Sequence, residues 1–271
     1  MAETPFLESL LKRDRVFVVC ALVLIIVASW LFILTGAGMD MTAGPSGDMG
    51  EGGAVMSMPV AWTADYALMM AVMWWVMMIA MMLPSATPMI LLYAKVNRTA
   101  RTHDGRAGGA MQTAAFMIGY LLVWGLFSVM AAGLQWAFEG AEILSPMTMS
   151  STNSLFAGAI LLFAGIYQLT PIKQACLRHC RGPLQFLSRH WRSGTGGACV
   201  MGLHHGAYCV GCCWGLMALL FFGGVMNLYW VIGLALIVLM EKVVPLGPRL
   251  SLVTGGLLVV WSASFFYRAF A

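Results

Sequence analysis

Charge is what this chain has least of: Asp, Glu, Lys and Arg make up 10% of its 271 residues, against 61% hydrophobic. A soluble domain carries about 25% charged residues, so the composition excludes a water-soluble globular fold. The basic residues flank apolar runs instead of forming one patch, which leaves nucleic-acid binding without support. No Gly-x-x-x-x-Gly-Lys loop occurs, so ATP-driven work by this chain alone is not expected. Cys-x-x-Cys-His, His-Glu-x-x-His and Gly-x-Ser-x-Gly are missing too, which removes covalent haem, that zinc-peptidase class and the serine-hydrolase elbow. The seven cysteines do not form a disulfide framework: none falls in a segment expected outside, and Cys176 and Cys180 sit in a basic, cytoplasmic stretch where thiols stay reduced.

What the chain has is apolar length, with a mean hydropathy of +0.84. Runs of sufficient length or pattern to span a bilayer predict helices at about 16–35, 62–93, 111–138, 153–169, 198–222, 228–246 and 250–266. The first exceeds a signal-peptide core and is read as an uncleaved helix. The second contains Pro84 and Pro88, which predict a kink or break near Pro84. With the N-terminus inside, every Lys and Arg except Arg268 falls on the cytoplasmic side, as the positive-inside rule requires. The expected fold is all-α: a single polytopic transmembrane bundle of about seven helices with a cytoplasmic N-terminus. A Met- and Gly-rich exterior loop follows the first helix at 36–60.

Inside the fifth run, 201–214 reads MGLHHGAYCVGCCW. At about 100° per residue, His205, Cys209, Cys212 and Cys213 share an arc of roughly 100°, and His204 points away. Buried cysteine usually packs as a small hydrophobe. Three within five residues beside a same-face histidine instead predict a metal or redox site, because soft sulfur matches Cu(I) or borderline Zn(II). Glu241, in the sixth run at similar depth, is an intramembrane carboxylate and needs a partner. It is expected to ligate the ion, orient His205 or take up a coupled proton, unless it pairs internally with Lys242 or Arg249.

Methionine is the compositional outlier, at 23 residues. Met69, Met73, Met77 and Met81 repeat every four residues in the second run, with Met78 and Met82 beside them. Such a stripe serves core packing or a thioether relay for Cu(I), with Met77 and Met81 as its candidate ligands. Met39/Met41, Met56/Met58 and Met147/Met149 form Met-x-Met pairs in exterior segments and suit Cu(I) capture. Cys176 and Cys180 make a candidate exit site for an ion leaving the membrane, or a reduced, palmitoylatable loop.

Four stretches together carry a family resemblance: 202–217 (GLHHGAYCVGCCWGLM), Glu241-Lys242-x-x-Pro-x-Gly-Pro, 176–183 (CLRHCRGP) and 75–84 (WVMMIAMMLP). From the second helix to the seventh the chain resembles the bacterial predicted metal-binding integral membrane proteins, domain of unknown function 2182. The resemblance implies metal binding with emphasis on Cys209, Cys212, Cys213 and Glu241, and does not reach the loop at 36–60.

The sequence therefore predicts a multi-pass protein of the bacterial inner membrane that binds a soft transition metal ion, Cu(I) ahead of zinc, for transport or delivery. Expected partners are the lipid bilayer, the metal ion, and a metallochaperone or copper-enzyme apoprotein. Two rival readings are a membrane thiol-disulfide oxidoreductase using Cys209 and Cys212, and a metalloenzyme assembly factor that does not transport.

Overall fold

The computed structural model describes residues 4–35, 62–103, 109–145 and 149–270. The loop at 36–60, with Met39, Met41, Met56 and Met58, and also Met147, lies outside the described residues. Ten helical segments occur among them: α1 Thr4–Leu34, α2 Ala64–His103, α3 Ala110–Gly140, α4 Ser154–Leu169, α5 Pro171–Arg181, α6 Pro183–His190, α7 Gly194–Ala218, α8 Leu220–Gly223, α9 Leu228–Val243 and α10 Gly247–Phe270. The single turn α8 prolongs α7, which leaves nine separate helices. No strand forms among the described residues, only one isolated bridge between Leu144 and Ser151.

The all-helical expectation holds, whereas the count of about seven does not. Each of the seven apolar runs is helical; the two extra helices, α5 and α6, occupy the basic connection read as a loop. Five helices are long and apolar enough to cross a membrane, or six if α4 and α5 count as one span bent by 63°.

Of the kink or break expected near Pro84, the break does not occur, since α2 continues through both prolines. Each proline removes one N–H from the ladder. The Ser85 hydroxyl donates to Met82 O at 2.8 Å and the Thr87 hydroxyl to Leu83 O at 2.9 Å, so nearby carbonyls gain other donors. Packing against α1, α3 and α9 supports the helix on several sides along its length.

The chain does turn sharply at Thr170-Pro171. Thr170 is extended (φ −71°, ψ 146°), as a residue before proline prefers. Its hydroxyl accepts the Lys173 N–H and Pro171 takes the first helical position, so α4 ends and α5 begins at one residue. This bend folds α5 back against α7.

α3 packs more extensively on α7 than any other helix does. Gly119 and Gly202 permit the approach: a Cβ on Gly202 would lie 2.0 Å from Phe116 O, and one on Gly119 2.2 Å from Cys199 O. Small residues allow such backbone contact in apolar bundles. Gly202→Ala must push the helices apart, and we expect a loss of about 1–3 kcal/mol or more, read as a lower thermal midpoint in detergent. Gly133→Ala, which meets nothing within 4 Å, is the control and should leave the midpoint near wild type.

Candidate metal centre

α7 supplies the first wall. Its 3.6-residue period places His205, Cys209, Cys212 and Cys213 on the buried side, each at most 3% exposed, while His204 is exposed. The Cys212 and Cys213 thiols donate to Cys209 O at 3.1 and 2.9 Å, bringing three sulfur-bearing side chains together over one turn. His205 stacks near Phe116 and Tyr120, with Phe186 edge-on. Its Nδ1 is buried without a hydrogen-bond partner. Orphaned nitrogen at such depth is rare and suits a ligand.

α5 supplies a second wall, which the sequence had separated from the first. The Thr170 bend brings Cys180 Sγ to 3.8 Å from Cys212 Sγ. Cys176 faces the α7 backbone at Gly211, where a Cβ would meet its sulfur at 3.0 Å. The Tyr167 hydroxyl donates to Gly211 O, pinning α4 to the same point. Cys176 and Cys180, expected as an exit site or as part of a reduced loop, therefore face α7 beside its cysteines.

α2 and α9 complete the surroundings. Cys213 Sγ is 3.7 Å from Met82 Sδ. The Lys242 ammonium donates to Cys209 Sγ at 3.0 Å and to Ser85 Oγ at 3.1 Å, and Tyr120 OH lies 3.1 Å from Cys209 Sγ. Among the described residues no three His, Cys, Asp or Glu side chains converge in the manner of a metal-holding group. All cysteines there are free thiols. Sulfurs in adjacent pairs, with one thioether, form a soft donor set better matched to a low-coordinate cuprous ion than to zinc, which takes four ligands in a closed tetrahedron.

Glu241 does not join this set. Its carboxylate accepts from Lys173 Nζ at 2.6 Å and from Gln168 Nε2 at 2.8 Å, with Thr254 Oγ1 at 3.4 Å. Neither the expected link to His205 nor the internal pair with Lys242 or Arg249 forms. Lys173 and Glu241 are both essentially buried, and Arg181 caps the adjoining turn by donating to the carbonyls of Glu241, Val244 and Pro245. The carboxylate therefore joins α4, α5, α9 and α10 and stands as a structural ion pair.

Of the methionine stripe, Met77 and Met81 are buried, but Met81 lines an apolar pocket with Trp30 and Ile232 on another side of α2. Met82 is the thioether at the cysteines. Toward the N-terminal end of α2, Met70 Sδ accepts from Gln135 Nε2 at 3.7 Å, and Gln135 also bonds Trp74 and Glu139. Sequence reading missed Met82, Lys242, Tyr120 and Lys173. Met82 carried a signal one residue out of register with the chosen row, and Lys242 stood in the Glu241-Lys242 motif as a partner for the acid and not for a thiol.

No curated relative and no solved structure matches the chain significantly. A family model described as copper chaperone (PpoB2) matches residues 71–265, from α2 to near the end of α10. This agrees with the motif resemblance in pointing to a metal-related family, without singling out domain of unknown function 2182. The matched stretch holds every cysteine of the cluster, Met82 and Lys242, and the chain belongs to this copper chaperone family.

Proposed function

We propose that this chain is a membrane-embedded copper chaperone that holds Cu(I) as cargo among Cys180, Cys209, Cys212, Cys213 and Met82, with Cys176 and His205 alongside. The observation carrying this reading is the meeting of partly buried α5 thiols with buried α7 thiols and a buried α2 thioether. Lys242 gives the site its charge logic. One cuprous ion and one ammonium against two thiolates leave no net charge, and an uncompensated charge is costly in an apolar interior. In this reading the ammonium at Cys209 offsets a bis-thiolate copper complex, and zinc with the same two thiolates would leave an excess positive charge.

Delivery follows from position. Cys180 is only partly buried and lies within one helix turn of the α5–α6 connection at Gly182, so an acceptor protein can approach the cluster there. Met70, Met78 and Met82 on α2 are a candidate inward path. Inhibitory or accessory transport is separable from delivery: copper flux into proteoliposomes above that of empty vesicles would make the chain a transporter.

The test is copper retained by the reduced, purified chain. Cys180→Ser should weaken retention although it lies on another helix, whereas Cys20→Ser and Cys199→Ser should not. Met82→Leu is expected to reduce Cu(I) affinity by about tenfold, and Met81→Leu to leave it unchanged. Competition with a chromophoric Cu(I) chelator measures both.

The thiol-disulfide reading is favoured at one point only, the 3.8 Å approach of Cys180 to Cys212. The pair first considered, Cys209 with Cys212, is less suited, because the Cys212 thiol is turned to the Cys209 carbonyl and an i, i+3 bridge strains a helix. A reversible change of two free thiols under a glutathione redox buffer, in protein free of copper, would support that reading.

A further inference from the structure

The hairpin of α5 and α6 encloses a polar pocket of about 310 Å³ that copper handling does not use. Arg178, His179, Gln185, Arg189 and His190 wall it, with Phe186 at its base. The imidazoles are held by their own helices, His179 Nδ1 on Ala175 O at 2.9 Å and His190 Nδ1 on Phe186 O at 3.2 Å. His179 also stacks on Tyr208, with centroids 4.2 Å apart. The walls are therefore ordered, and the two guanidiniums carry the charge.

Neither guanidinium has an ion-pair or hydrogen-bond partner among the described residues. The pocket lining holds no carboxylate, and no Asp or Glu occurs between Glu142 and Glu241 in the stretch that contains α4 to α9 up to the ion pair. Glu241 is taken by Lys173, and Glu142 is separated from α5 by the 16 residues of α4, a length of roughly 24 Å. Two unpaired guanidiniums around a pocket without carboxylates match a phosphoryl group, which Arg binds through paired N–H donors. Gln185 adds amide donors on the same rim.

The flanks of the hairpin identify the source of that phosphoryl group. Ile172 on α5 is 65% exposed and Leu184 on α6 is 68% exposed. Exposed aliphatic side chains on the two helices that form the pocket suit acyl chains below a headgroup, and free phosphate has no use for them. Basic pockets at the cytoplasmic ends of membrane helices bind anionic lipid headgroups by this chemistry. We propose that the α5–α6 pocket binds the phosphoryl headgroup of an anionic phospholipid of the cytoplasmic leaflet. This rests on the membrane-embedded reading above and not on copper binding.

The experiment is native mass spectrometry of the full chain in neutral detergent, titrated with phosphatidylglycerol, phosphatidylcholine or inorganic phosphate. Retention of phosphatidylglycerol should exceed that of phosphatidylcholine, and Arg178→Gln/Arg189→Gln should lower it by about tenfold or more. The Arg178→Lys/Arg189→Lys variant should keep part of the binding, and both variants should retain wild-type copper, which shows that the fold persists. Equal retention of the two lipids, or unchanged retention in the Gln variant, would overturn the proposal. Displacement of the lipid by equimolar inorganic phosphate would overturn its lipid source. Cys209→Ser/Cys212→Ser/Cys213→Ser should bind phosphatidylglycerol normally, so failure of the copper reading would leave this result standing.

Discussion

Serine at Cys209, Cys212 and Cys213 together is expected to take retained copper from about one ion per chain to a small fraction of that, with Cu(I) affinity lowered by more than about 100-fold. Supporting residues around a metal site are each worth about 10–100-fold, and these three are proposed to hold the ion directly. The substitution is close to isosteric, and the serine hydroxyls can keep donating to the Cys209 carbonyl position as the thiols do at 3.1 and 2.9 Å. Folding should therefore survive, with an unchanged thermal midpoint in the copper-free state. Lys242→Gln provides the electrostatic counterpart: affinity should fall while all sulfur ligands remain, because the complex then carries an uncompensated negative charge. Chelator competition on the purified proteins reads both effects.

Glu241→Ala is expected to be the most destabilising polar substitution in the chain, at about 3–5 kcal/mol, because it leaves the Lys173 ammonium buried and unpaired. Lys173→Ala should cost a similar amount by stranding the carboxylate, although Gln168 and Thr254 still serve it. Removing both charges, as Lys173→Met/Glu241→Met, should recover most of the loss, since an apolar pair fills the space without a desolvation penalty. Thermal unfolding in detergent followed by circular dichroism measures these differences. Copper per folded chain should stay at the wild-type value in Glu241→Gln. Loss of copper there without loss of stability would return Glu241 to the metal site.

The comparison of sequence with structure divides along one physical line. Features governed by local periodicity were legible: the helical nature of all seven apolar runs, and the α7 face that buries His205 and three cysteines while exposing His204. Features governed by where one helix meets another were not. The Thr170-Pro171 bend converts an apparent cytoplasmic loop into the second wall of the cluster, and composition gives no hint of its 63° angle. Glu241 and Lys242 are neighbours on α9, so they point to different sides; the sequence drew attention to the acid, and it is the base that reaches Cys209. Lys173 and Lys242 both counted toward the positive-inside pattern, yet both are buried. A charge near a helix end reads the same in sequence whether it faces water or a neighbouring helix. The methionines illustrate a related point: Met77, Met78, Met81 and Met82 are all buried, and only the partner helix decides that Met82 rather than Met81 meets Cys213.

The central claim is that copper sits among the α5, α7 and α2 sulfurs, and X-ray absorption at the copper edge of the reduced, full-length chain tests it most directly. The account predicts a cuprous edge and sulfur-dominated surroundings with at most one nitrogen, from His205, and loss of the signal in Cys209→Ser/Cys212→Ser/Cys213→Ser. Copper surrounded by nitrogen and oxygen alone, or a spectrum unchanged by that triple substitution, would contradict it.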